Sequence, residues 1–191
     1  MREVPLFGTR SITRLLALVA AACAVASAES ESRENPLPVV ENFALIDHEG
    51  LFHELDYYCR MPGVKGIVLF VHGNGCPLVQ KQIPELKRIR AEYGDRGLLF
   101  GMINANLQDG RDEIAAEAAE FAVDFPILKD ESQLVAESLE VTRTAEAFLI
   151  DAGTRQVVYR GAVDDRLSYQ KEKPEAERRY LREAIDSLLS G

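Results

Sequence analysis

The chain has 191 residues, with 31 acidic against 22 basic side chains and a formal net charge of −9. So acidic a protein repels phosphate backbones, and no Lys/Arg cluster with interleaved aromatics offsets this, so nucleic acid is not an expected partner. The acidity itself reads as a solvated surface.

Residues 1–28 have the three parts of a secretory signal: Arg2, Arg10 and Arg14 at the start, an uncharged apolar run from Leu15 to Ala26, and the small-residue site Ala26-Ser27-Ala28. The run is shorter than the roughly 20 residues that cross a bilayer core. No later stretch is long and apolar enough either, so no membrane span is expected. Cys23 in the run offers a lipid anchor as the alternative, against which Ala20 stands where such signals usually carry Leu. Cleavage after Ala28 removes three Arg and one Glu and leaves 163 residues with a formal charge of −11, the size of one domain. The expected location is periplasmic or extracellular. Residues 29–38 (ESESRENPLP) are polar and read as a linker, and residues 39–190 form the globular domain.

In chain order, Asn42 to Ile46, a turn at Asp47-His48-Glu49-Gly50, and Leu51 to Leu55 predict a hairpin. Gly66 to Val71 (GIVLFV) is a continuous apolar run, as in a strand buried on both faces. After the turn Gly73-Asn74-Gly75, a helix is predicted from about Pro77 to Tyr93, with Pro harmless at its first position. Val79, Ile83, Leu86 and Ile89 repeat at helical spacing, Pro84 should bend the helix, and Gly94 and Gly97 close it. Leu98 to Asn104 is a second buried strand, Asp112 to Ala122 a helix, Phe125 to Leu128 a short strand and Gln133 to Leu139 a short helix. Ala147 to Ile150 and Val157 to Tyr159 flank a turn at Asp151-Ala152-Gly153. Glu175 to Leu189 is amphipathic, with Tyr180, Leu181, Ile185, Leu188 and Leu189 inward. Alternating strands and helices imply an α/β fold, a central mixed sheet covered by helices on both faces.

Export would place the domain where disulfides persist, yet only Cys59 and Cys76 remain after cleavage. There is no C-x-x-C and no zinc-ligand spacing, and His48, His53 and His72 are scattered, so neither a metal nor a cofactor is expected. The strand Gly66–Val71 between the two cysteines separates them by roughly 20 Å, beyond the about 7 Å that a disulfide tolerates.

Three stretches carry a family likeness. VENFALIDHEG resembles the opening hairpin of the redoxin branch of the thioredoxin-like superfamily, which includes the alkyl hydroperoxide reductase/thiol-specific antioxidant proteins. KGIVLFVHGNGCPLVQKQIPELKRIRAEYGDRGLLFGMINAN resembles their strand, active-site turn, kinked helix and next strand, and VTRTAEAFLIDAG the stretch that packs against the active-site cysteine. The likeness spans about residues 39 to 190 and implies a thioredoxin-like fold with Cys76 at the position of the reactive thiol. Three departures accompany it. A C-x-x-C would need Cys at Val79; P-x-x-x-T-x-x-C would need Thr at Gly73 and Pro at Leu69; and the family's Thr-Pro reads Thr144-Ala145. A cis bond before a non-proline costs about 2.5–4 kcal/mol, so Thr144-Ala145 is expected trans.

At a helix N-terminus, just before Pro77, unsatisfied N–H groups favour a thiolate at Cys76, whereas the alternative is a buried structural cysteine. His72 could supply a positive neighbour or a proton, or be a packed strand-end residue. Arg143, beside Thr144, could face the thiol or be a solvated charge. Asn104 and Asn106 end a strand at the edge where α/β sheets bind ligands, with capping as the alternative. The likeness also picks out Asp164-Asp165 without giving it a role. VLFVHGNG imitates a hydrolase oxyanion turn, but no G-x-S-x-G occurs and no His follows His72.

The function these readings give is an exported thiol oxidoreductase, with Cys76 attacking a small-molecule peroxide or a disulfide and an external protein or small thiol resolving it. The alternative is a thioredoxin-fold binding module without catalysis. A copper-delivery protein of the same fold would need two cysteines and a distal His.

Overall fold

The computed structural model describes residues 37–167 and 171–191; the predicted signal and the linker as far as residue 36 lie outside the described residues. In chain order the elements are β1 (Ala44–Asp47), β2 (Phe52–Glu54), α1 (Leu55–Cys59), β3 (Gly66–Val71), α2 (Pro77–Tyr93), β4 (Leu98–Asn104), α3 (Arg111–Glu120), β5 (Ile127–Lys129), α4 (Leu134–Ser138), β6 (Ala147–Asp151), β7 (Val157–Gly161) and α5 (Tyr180–Ser190). The strands form one mixed sheet in the order β2-β1-β5-β4-β3-β6-β7. β3, β4 and β5 run parallel, and the hairpins at both ends add antiparallel strands. The α/β mixed sheet expected from the sequence is the fold observed.

β3 and β4 sit at the centre because their apolar runs can be buried on both faces. Alternation along β3 sends Val68 and Phe70 to one core and Ile67, Leu69 and Val71 to the other. The first core is covered by α2 through Val79, Ile83, Leu86 and Ile89, by α3 through Ile114 and Ala118, and by α5 through Leu181 and Ile185. Each large apolar side chain so buried contributes roughly 1.5–3 kcal/mol. α1 and α4 cover the second core through Leu55 and Val135. α2 runs unbroken through Pro84, with no N–H there to reach the Gln80 carbonyl. Gly97, at φ 97°, ends that connection in the left-handed region, and a Cβ there would lie 2.3 Å from the Gly63 carbonyl oxygen.

Three of the boundaries that differ from the sequence reading have a clear local reason. The second half of the first hairpin stops at Glu54 because the Asn42 side chain accepts the Asp56 N–H and so starts α1. β5 begins at Ile127, after Pro126, whose carbonyl takes the Met102 N–H. α5 starts at Tyr180 rather than near Glu175, since the Asp165 carboxylate holds the N–H groups of Glu177 and Arg178 and pairs with Lys173. Those bonds bring the half-buried Asp165 carboxyl down to about 2 and give it a structural role. Asp164, 3% exposed, accepts the Arg166 N–H.

The buried Asp47 closes the first hairpin by accepting the N–H groups of Glu49 and Leu51, and its second oxygen accepts from His53 Nε2 at 2.8 Å. His53 Nδ1 then accepts the Tyr58 hydroxyl proton at 2.6 Å, fastening α1 to the hairpin. Among the described residues no three metal-ligating side chains cluster, and no helix is long and apolar enough to cross a membrane.

Candidate active site

The turn after β3 and the ends of β4 and β6 meet at one edge of the sheet, the edge at which α/β sheets bind ligands. Cys76 caps α2 there with extended backbone, φ −73° and ψ 116°, and is half-buried. Its N–H closes the turn onto the Gly73 carbonyl (3.1 Å), and its own carbonyl accepts the Gln80 N–H (3.0 Å). Pro77 is exposed at the first helical position and has no N–H. The N–H groups of Leu78 and Val79 have no carbonyl one turn back and no side-chain cap, leaving the positive end of α2 open beside the sulfur.

Thr144 comes from the loop before β6, and its Oγ1 lies 3.3 Å from Cys76 Sγ. The loop is held there by the backbone: the Ala145 N–H donates to the Val71 carbonyl (2.9 Å) and the Val71 N–H to the Glu146 carbonyl (2.8 Å). No described peptide bond is cis, and Ala145 adopts φ 61°. A proline at this position could not donate the bond to Val71. Thr144 also presses on Gly73, where a Cβ would stand 2.7 Å from Thr144 Cγ2 and 3.1 Å from Asn106 Nδ2.

Beneath the turn lies a buried polar network. The Asn74 N–H donates to Asp109 Oδ2 (2.9 Å) and the Gly75 N–H to Glu117 Oε1 (2.9 Å), so two carboxylates hold successive amides before Cys76. Asn104 Oδ1 accepts from the Asn106 N–H (3.0 Å) and Lys129 Nζ (3.3 Å), which orients its amide. Its nitrogen therefore donates to Asp109 (2.8 Å) and to His72 Nδ1 (3.0 Å). An Nδ1 that accepts carries no proton, so His72 is the neutral Nε2–H tautomer and donates to Glu117 Oε2 at 3.0 Å. Burial lowers the pKa of this histidine, 1% exposed, despite the adjacent carboxylate. Burial works to raise Asp109, but the donors Asn104, Asn74 and Asn106 outweigh it and hold the carboxyl below its ordinary range.

Cys76, Pro77, Thr144 and His72 thus come together at one edge, His72 acting as a hydrogen-bond donor beneath the turn. Arg143 is exposed and directs its guanidinium to Glu146 at 3.7 Å, and Glu146 also pairs with Arg160. Asn104 and Asn106 are used in the network that holds the turn. The sequence reading missed Asp109 and Glu117. A cavity of about 230 Å³ shares Thr144 with the thiol and is lined also by Leu78, Gln82, Ala145 and Gly161. A larger one of about 520 Å³ opens along Leu98–Gly101 at the other end of β4, and no residue of the thiol site lines it.

Cys59 lies on the opposite face of the sheet. It packs against the second core while Cys76 packs against the first, and both thiols are free. Burial, with Asp56 nearby, pushes the Cys59 thiol up.

The comparisons with known proteins agree with the fold. A sequence model described as the AhpC/TSA family matches residues 38–161. No curated protein matches the chain in sequence. Among solved structures, an uncharacterized conserved protein from Geobacillus kaustophilus is 28% identical at a TM-score of 0.71, covering 82% of this chain and 85% of its own. A hypothetical protein from Sinorhizobium meliloti 1021 is 27% identical at 0.68, with the same coverages of 82% and 85%. Peroxidoxin BcpB from Mycobacterium tuberculosis is 19% identical at 0.60, covering 81% of this chain and 96% of its own, a likeness of fold.

Proposed function

The chain belongs to the AhpC/TSA family, and on that premise we propose that it is a thiol oxidoreductase working through one cysteine, Cys76. The observation that carries the reading is the position of its sulfur: at the open N-terminus of α2, half-buried, and 3.3 Å from the Thr144 hydroxyl. The helix end and a hydroxyl donor both favour the thiolate over the thiol, and the thiolate is the nucleophile.

With a peroxide, the thiolate sulfur attacks one oxygen. An S–O bond forms, the O–O bond breaks, and the departing alkoxide or hydroxide leaves with the electron pair and takes up a proton. Cys76 is oxidised to the sulfenic acid and the peroxide is reduced to an alcohol or water. An external thiol then attacks the sulfenic sulfur and releases water. A second thiol attacks the external sulfur of the mixed disulfide, so that Cys76 leaves as the thiolate and the two external thiols are oxidised to a disulfide. With a disulfide as substrate the Cys76 thiolate attacks one sulfur and the substrate S–S bond breaks. One half leaves as a thiolate that takes up a proton, and the mixed disulfide forms directly. An external thiol is required because Val79 stands where a resolving Cys would be, and Cys59 lies on the far face of the sheet.

Thr144 serves as the hydrogen-bond donor to the sulfur, Pro77 leaves the first turn of α2 open, and His72 supports the turn from below. Arg143 lines the smaller cavity beside Thr144. The reading also holds that Met1–Ala28 is a secretory signal and 29–38 a linker, so that the product is exported and begins at Glu29, which N-terminal sequencing checks. Alkylation and peroxide oxidation followed cysteine by cysteine test the catalytic assignment.

A further inference from the structure

Glu117 belongs to α3, 42 positions from the turn in sequence, yet its carboxylate is built into the turn. It is 7% exposed and takes four donors. Oε1 accepts the Gly75 N–H (2.9 Å) and Gln80 Nε2 (2.7 Å). Oε2 accepts His72 Nε2–H (3.0 Å) and, with the Asn74 amide oriented by its neighbours, that side-chain nitrogen at 2.8 Å. A protonated acid would have to turn an O–H toward groups that only donate, so Glu117 is an anion. Among the described residues no Lys or Arg pairs with it.

Other charges face the turn from every side. His72 on β3 is neutral, for the reason given by Asn104. Asp109, on the loop before α3, is a second anion, placed on the Asn74 N–H. Glu113 on α3 turns its carboxylate to the Gly110 N–H. Lys129 on β5 is tied to Asn104 and to the Asn106 carbonyl, and Arg143 on the loop before β6 is turned to Glu146. Two anions therefore hold consecutive amides immediately before Cys76, with one cation set behind Asn104. Cys76 is half-buried and follows directly on the Gly75 N–H that Glu117 holds, and a like charge placed there disfavours a further anion.

We propose that Glu117 is the positioning residue of the thiol site: its carboxylate fixes the turn that presents Cys76, and its charge restrains ionisation of the Cys76 thiol. The inference rests on the reading of Cys76 as the reactive thiol. The helix N-terminus and Thr144 draw negative charge to the sulfur, Glu117 opposes it, and the balance sets how readily the thiol reacts.

The test is iodoacetamide alkylation of the full chain across pH, read by mass spectrometry on the peptide that contains Cys76. Glu117→Gln keeps an oxygen for the Gly75 N–H and removes the charge. Alkylation of Cys76 at pH 7 should rise about threefold to tenfold, and the pH of half-maximal rate should fall. Glu117→Asp keeps the charge and should leave that pH near the parent's. A folded Glu117→Gln protein whose midpoint is unmoved or raised overturns the proposal, because a purely structural role would not move it down. Should Glu117→Gln not fold, the parent decides. The carboxyl carbon resonance of Glu117 should inflect at the pH where Cys76 alkylates half-maximally and lose that inflection in Cys76→Ser; a flat titration in the parent overturns the proposal. If instead parent Cys76 gains no oxygen or thiol adduct from peroxide, the oxidoreductase reading fails while the Glu117 midpoint remains a separate result.

Discussion

Cys76 and Thr144, 68 positions apart in sequence, place a sulfur and a hydroxyl 3.3 Å from each other at the open end of α2. The contact depends on the Ala145–Val71 backbone bond, which carries the β3–β6 pairing one step beyond the strands. The hydroxyl can donate to a thiolate and, as the O–O bond breaks, to the oxygen that leaves.

A hydrogen bond to a charged group is worth about 1.5–3 kcal/mol, which corresponds to about tenfold to a hundredfold in rate. Thr144→Val keeps the shape and deletes the hydroxyl, so oxidation of Cys76 by peroxide should slow by that factor. Thr144→Ser should keep most of the rate. Stopped-flow oxidation of the three proteins checks this, and equal rates for Val and Thr would remove Thr144 from the mechanism.

Gly73 and Thr144 share one space. Gly73→Ala should destabilise the fold by roughly 1–3 kcal/mol, since its methyl would meet Thr144 Cγ2 at 2.7 Å. Thr144→Ser removes that methyl group and keeps the hydroxyl, so in the double variant part of the loss should be recovered. Urea unfolding of the full cycle measures the coupling, and strictly additive losses would show that the contact does not exist.

The buried His72 makes stability depend on pH in a definite direction. Its pKa in the fold is lowered from 6.5, mainly by burial, so the unfolded chain takes up the proton first. Stability should therefore be full above about pH 6.5 and decline below it, by at most about 1.4 kcal/mol per pH unit for one proton, until the folded value is reached. His72→Gln should cost stability at pH 7 and give a flatter curve between pH 7 and 5. Denaturation curves across that range test it; parallel pH profiles for the two proteins would mean that His72 is not held neutral.

Most of the framework was legible in the sequence because it rests on local signals. The unbroken apolar runs of β3 and β4 mark strands buried on both faces, and Pro77 and Gly94 bracket α2. The turn at Gly73 was legible too, as was the thiol at its end. Glu117 was not, because in an Ala/Glu-rich helix an acid that will be buried looks like its exposed neighbours, and only the turn 42 positions away gives it donors. Asp109 was hidden for the same reason, its partners being Asn74, Asn104 and Asn106. Five residues of α1 carry too little periodicity to announce a helix, and the late start of α5 depends on Asp165, an acid in a loop.

The most direct test of the account compares Cys76 with Cys59 in the same molecule. Cys76 sits at the helix end beside Thr144, while burial pushes the Cys59 thiol up on the other face of the sheet. Alkylation at neutral pH should therefore be faster at Cys76. After a peroxide pulse, mass spectrometry should find the added oxygen, or the adduct of an added small thiol, on Cys76 and no disulfide between Cys76 and Cys59. Turnover should require added thiol, cease in Cys76→Ser and persist in Cys59→Ser. If Cys76 alkylates no faster than Cys59 and gains neither oxygen nor thiol, the oxidoreductase account is contradicted, and a binding module on a thioredoxin-like fold describes the protein better.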